Sequence, residues 1–172
     1  MTPPVSAPRA PSRPLVRHLA SAPRLRVLAE RATVLLGGED TDGRLSMVLV
    51  ESAPGGFAPP HLHTREAETF TVLEGRYRFV VDGRVVDAPR WTTVHAPIGV
   101  PHAYALVGDE PGRLLVVTTP SGLDEFFRDL DALDLPMPPP PEALAEVARR
   151  HGVRLLPPGA TPDARAVGEL PA

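Results

Sequence analysis

Between Arg24 and Pro120 apolar and polar positions alternate in short runs broken by Gly, Pro and Asp, the period-two pattern of half-buried strands. "RLRVL" and "ATVLL" lead into the polar turn "GGEDTDG", and "RLSMVLVES" follows. "ETFTVLEG" precedes the hairpin "RYRFVVDGRVVDA", where Asp82-Gly83 between alternating segments signals a two-residue turn. "WTTVHA", "HAYALV" and "RLLVVTT" complete the series. Roughly nine short strands with no long helix among them predict an antiparallel sandwich or barrel, since parallel strands need helical crossovers and the spacing leaves no room. The alternating acids of "GEDTDG" could hold calcium only between helices, and strands flank them here, so the stretch reads as a turn.

The period changes after Pro120. "SGLDEFFRDLDAL" carries Leu123, Phe126, Phe127 and Leu130 on one helical face, with Ser121 as its expected N-cap. "PPPPEALAEVARRHG" starts with proline and ends with cationic residues before Gly152, the start and stop of a second helix. Both helices are expected to pack outside the barrel. The chain therefore divides into a flexible arm at 1–20, a barrel at 21–120, a helical extension at 121–156 and a disordered tail at 157–172.

At 172 residues this is one domain, and a net charge of −3 gives no reason to expect a nucleic acid or an anionic membrane as partner. No run approaches a membrane span, and the N-terminus lacks the apolar stretch of a secretion signal, so a cytoplasmic protein is expected. Cys, Lys, Asn and Gln are all absent. Disulfides, thiolate ligands, iron–sulfur clusters, Schiff-base lysines and an ordinary phosphate-binding loop are thereby excluded. The chemistry falls to His, Asp, Glu, Arg, Ser, Thr, Tyr or a bound metal.

"GGFAPPHLHTREAETFTVLEG" concentrates that chemistry. In a strand His61 and His63 face one side. Glu68, five residues on, joins them only if "TREA" holds a turn, and His102 follows a second turn at Pro97, Gly99 and Pro101. Clustered histidines beside a buried glutamate are costly without a cation to organise them. Glu66 reads as a solvated turn residue, and His95 could point either way. Tyr77, Phe79, Phe70, Met47, Leu49, Trp91 and Tyr104 read as core packing.

These positions resemble the cupin superfamily. The first cupin motif, G-x5-H-x-H-x4-E-x6-G, is matched at Gly55, His61, His63, Glu68 and Gly75. The second, G-x5-P-x-G-x2-H-x3-N, is matched at Pro97, Gly99 and His102, with Trp91 and Leu106 standing where Gly and Asn are usual. The helices after the barrel are similar to the C-terminal extension of small bacterial cupins that resemble quercetin 2,3-dioxygenases. The resemblance implies an all-β, double-stranded β-helix (a jelly-roll barrel) with C-terminal helices. It also implies one divalent transition metal (Fe, Ni, Mn, Cu, Co or Zn) held by His61, His63, Glu68 and His102. The expected activity is oxygenation of an aromatic or enol-containing small molecule, with Glu68 taking the substrate proton. A metal-dependent isomerase, decarboxylase or cyclase, or a non-catalytic metal-binding module, are the alternatives. Small cupins commonly pair through sheet edges, so a homodimer is expected.

Overall fold

The computed structural model describes residues 14–134 and 139–165. Ten strands precede the helices: β1 (Arg24–Val27), β2 (Glu30–Leu36), β3 (Ser46–Ser52), β4 (Phe57–His63), β5 (Ala67–Glu74), β6 (Tyr77–Val81), β7 (Arg84–Ala88), β8 (Thr93–Ala96), β9 (His102–Leu106) and β10 (Gly112–Thr119). Then come α1 (Leu123–Ala132), α2 (Pro141–Arg150) and a short β11 (Val153–Leu155). One sheet runs β1-β2-β3-β10-β5-β8 and the other β11-β4-β9-β6-β7. Every pairing within the two sheets is antiparallel. This is the expected double-stranded β-helix.

The alternation read from the sequence sorts residues between the two faces of each strand. Along β5 Glu68, Phe70 and Val72 are buried while Ala67, Thr69 and Thr71 are not. Inward residues of both sheets share one core, with the Phe70 and Phe79 rings 5.1 Å apart and Phe79 and Tyr104 5.6 Å apart. The hairpin turn falls at Asp82 and Gly83, whose φ values of 50° and 73° are the left-handed conformation that glycine adopts freely. No helix among the described residues is long and apolar enough to cross a membrane.

Several expectations need correction. The strand that carries His61 and His63 begins at Phe57 and runs through Pro59 and Pro60, and β11 adds an unexpected strand after the helices. Helix α1 does not merely cover the outside: Leu123, Phe126 and Leu130 join the main core. Its N-cap is Gly122 rather than Ser121, without a side-chain cap. Trp91 is 66 % exposed, not packed, and its φ of 71° marks the turn where the cupin motif places glycine. The tail expected to be disordered from Pro157 packs as far as Arg165: Ala164 is buried and the Arg165 guanidinium lies 4.5 Å from the Phe57 ring centroid. Residues 166–172 lie outside the described chain, as do residues 1–13 of the expected arm. The described end of that arm is tied down, with Arg17 donating to Asp40 at 2.8 Å and to the Leu35 carbonyl at 3.0 Å.

Candidate metal centre

Three strands bring the four expected residues to one point: β4 supplies His61 and His63, β5 Glu68, and β9 His102. The phase of β4 is what makes this work. Phe57 pairs with Ala105 and Ala58 with Tyr104, but His61 pairs with His102, so one extra residue is inserted at Pro59–Pro60. Ala58 packs against the inner core and Phe57 against the outer cluster of Ala103 and Ala105. Strict alternation from Ala58 would therefore send His61 and His63 outward, and the bulge turns both inward. Neither proline has an N–H to give to a ladder, so the irregularity sits where the least pairing is lost.

Each ring is oriented from behind. His61 Nδ1 lies 2.7 Å from the Pro59 carbonyl, His102 Nδ1 lies 2.9 Å from the Val100 carbonyl, and His63 Nδ1 lies 3.1 Å from Glu66 Oε1. Two of the three acceptors are carbonyls, which accept only, so those Nδ1 atoms carry the hydrogen and each Nε2 presents a lone pair. The three Nε2 atoms converge on Glu68 Oε2, at 3.8 Å for His61, 3.1 Å for His63 and 2.9 Å for His102. One ligand atom from each residue lies within 4.8 Å of all the others. Glu68 Oε1 takes no part in these contacts.

The electrostatics favour a positive charge among the four side chains. Burial, with His102 beside it, pushes His61 down to about 4. Burial also pulls on His63, but the Glu68 and Glu66 carboxylates outweigh it and raise that ring to about 10. Burial would raise Glu68, yet the positive charge of His63 and the ring nitrogens around it hold it well below the usual carboxylate range. A proton on His63, bridging two carboxylates, thus stands in for a cation. Thr118, opposite Glu68 on the same face of the sheet, has a buried hydroxyl without a partner among the described residues. Imidazole and carboxylate donors in this arrangement are compatible with a divalent transition metal and do not name it.

Glu66, read as solvated from the sequence, is 2 % exposed and serves His63. Its signal was the spacing: three residues after a histidine, across a turn, a carboxylate reaches back to the ring. Gly122 makes room, since a Cβ there would sit 3.2 Å from Glu66 Oε1. His95 lies on an exposed position of β8 and meets Thr69, outside the cluster. The cluster opens on a cavity whose other walls are mostly apolar, including Val50, Phe70, Phe126, Phe127 and Val153, with no arginine among the lining residues. Glu30 and Tyr104, which the sequence reading left out or assigned to packing, also line it.

A barrel of this kind with an inward histidine–glutamate cluster resembles the metal-binding cupins. Residues 48–118 match the cupin domain model. It is 26 % identical over 117 residues to the quercetin 2,3-dioxygenase of Bacillus subtilis (strain 168), an alignment covering 68 % of this chain and 34 % of that protein. The chain thus spans about a third of that relative's length. Among solved structures it resembles the polyketide cyclase RemF from Streptomyces resistomycificus, with TM-score 0.55 and 25 % identity over 62 % of this chain and 80 % of that one. It also resembles a predicted oxalate decarboxylase from Thermotoga maritima, with TM-score 0.58 and 18 % identity over 61 % of this chain and 98 % of that one. The latter likeness concerns the fold alone.

Two outcomes follow for metal binding. Elemental analysis of protein purified without chelator is expected to give one divalent transition metal per chain, lost in His61→Ala/His63→Ala. Glu66→Ala should weaken the metal about 10- to 100-fold in chelator competition, while Glu66→Gln, which still accepts from Nδ1, should lose much less. Equal metal content in the double histidine variant would rule the site out.

A third outcome concerns protons. With His63 raised to about 10, metal-free protein carries a proton there at pH 7.5 that a metal on Nε2 must displace. Calorimetric titration in buffers of different ionisation enthalpy should report about one proton released. Affinity should rise about tenfold per pH unit through the neutral range, and a pH-independent affinity would contradict it.

Proposed function

We propose that the protein is a metal-dependent oxygenase of the quercetin 2,3-dioxygenase type, acting on an uncharged aromatic or enol-containing small molecule. The observation that carries this reading is the cluster's position on the wall of a mostly apolar cavity that no arginine lines. A structural metal site is normally closed by its protein ligands, whereas this one faces a space that an organic molecule can enter. Anionic substrates would find no arginine or lysine beside them there.

A divalent cation held by His61, His63, Glu68 and His102 would act as a Lewis acid on a substrate hydroxyl brought against it. The chain's own residues do the rest. Phe70, Val50 and the α1 side chains exclude water and hold the flat body of the substrate. Glu68, held as a carboxylate, takes the hydroxyl proton, with Oε1 as the oxygen not committed to the rings. The enolate left behind is the electron-rich partner of dioxygen. A cyclase, isomerase or decarboxylase would use the same proton transfer without dioxygen, and the likeness to RemF favours keeping the cyclase in the test.

Oxygen uptake with a panel of flavonols and related enols decides between them: uptake with ring-opened product supports the oxygenase, and product without uptake supports the alternatives. Glu68→Gln should keep much of its metal and lose turnover by about a hundredfold or more. A Glu68→Gln protein with full metal and full activity would remove the proton-transfer step.

We also propose a cytoplasmic homodimer. Strands β1, β8, β11 and β7 end the two sheets, and exposed Trp91 and Ile98 lie on the turns flanking β8. Light scattering at micromolar concentration should give the mass of two chains, and a mass near 18.4 kDa would contradict it.

A further inference from the structure

A second polar cluster lies inside the barrel and takes no part in the metal centre. Glu30, the first residue of β2, is 6 % exposed. The Ser52 hydroxyl donates to its Oε1, and the Tyr104 hydroxyl donates to its Oε2 at 2.6 Å. Behind them Tyr77 donates to Ser52 Oγ at 2.9 Å, so one chain of hydrogen bonds links β2, β3, β6 and β9 across both sheets. Glu30 and Tyr104 line the same cavity as His61, His63 and Glu68, whereas Ser52 and Tyr77 stand behind that wall.

Packing gives no reason for a carboxyl here. Among the described residues no cation pairs with Glu30. A carboxylate removed from water without a counter-charge is unfavourable, and an apolar side chain of similar size would suit the surrounding valines and phenylalanines better. Burial pushes its pKa up despite the two hydroxyl donors, which moves it toward the uncharged acid. Each carboxyl oxygen can accept two hydrogen bonds, and each accepts one from the protein. Spare accepting capacity therefore remains on a side chain that lines the cavity. Costly polar groups of this kind, aimed into an apolar cavity, mark ligand sites.

We propose that Glu30 and Tyr104 form a second polar subsite in the cavity, which receives an uncharged hydroxyl of an aromatic ligand whose other oxygen lies at the histidine cluster. The inference rests on the reading of this cavity as a substrate site. It narrows the substrate to neutral molecules with hydroxyls at two separated positions and speaks against carboxylates and phosphates.

The test uses two probes that differ only in a hydroxyl, p-cresol and toluene, titrated into the protein as purified under anaerobic conditions. In the wild type both bind, and the ratio of their dissociation constants measures the hydroxyl's contribution. Glu30→Leu should shift that ratio against p-cresol by about fivefold or more while leaving toluene binding intact. Should Glu30→Leu fail to fold because Tyr104 loses its acceptor, Glu30→Leu/Tyr104→Phe removes the stranded phenol and carries the same expectation. An unchanged ratio would place the hydroxyl at the histidines and overturn the proposal, as would no binding of either probe to the wild type. The probes are not flavonols, so the two readings fail separately: a Glu30-dependent ratio without oxygen uptake on flavonols rejects the oxygenase and upholds the subsite.

Discussion

The site depends on one irregularity in one strand. The residue inserted at Pro59–Pro60 shifts β4 by half a pleat, and that shift decides whether two imidazoles point into the barrel or into solvent. The same dipeptide then fixes a ring, because the Pro59 carbonyl accepts from His61 Nδ1 and leaves Nε2 to face Glu68. The shifted strand is held on both sides: β9 brings His102 opposite His61, and β11 pairs Val153 with His63 and Leu155 with His61. The C-terminal extension is in this sense part of the centre, although none of the four candidate ligands comes from it.

Sequence pattern carried the barrel a long way. Alternation, the Asp82-Gly83 turn and the motif spacing are local properties, and they located nearly every strand and all four clustered residues. What was illegible depends on the third dimension. The extra residue at Pro59–Pro60 in "FAPPHLH" left no mark in the pattern, because a bulge is defined only against the register of β9. Trp91 was assigned to the core on its character, while its left-handed backbone places it on a turn where the side chain points outward. Glu66 was read as a surface acid because its polar turn hid the burial that His63 and Gly122 create around it. Glu30 carried no signal at all, since Ser52 and Tyr104 reach it from other strands, 22 and 74 residues away in sequence.

Glu66 also changes the charge of the centre. Three neutral imidazoles, Glu68 and a divalent cation sum to +1, and the carboxylate behind His63 brings the two shells together to zero. A hydrogen bond from Nδ1 to a carboxylate makes the imidazole a stronger donor, so His63 differs from its two neighbours, which lean on carbonyls. Because Gly122 opens α1 against Glu66, and Phe126 and Phe127 on that helix line the cavity, the helix that shapes the substrate space is packed directly on the group that tunes His63. Displacement of α1 would be felt at the centre through one contact.

Electroneutrality then bears on what the cavity can admit. A divalent cation at the cluster would bring the inner charges into balance, and with every arginine outside its lining the space would then have little long-range attraction for an anion, leaving discrimination to hydrogen bonds in an apolar enclosure. There a donor or acceptor left unpaired costs the ligand its full desolvation, which is a sharper filter than shape alone. A molecule that meets the histidine cluster with one oxygen and leaves an apolar edge against Glu30 buries that acid without its water. One that carries a second hydroxyl satisfies it. Alternation in β2 and β9 and its interruption in β4 thus set two polar clusters on otherwise apolar inner faces, and recognition in the cavity rests on that pair.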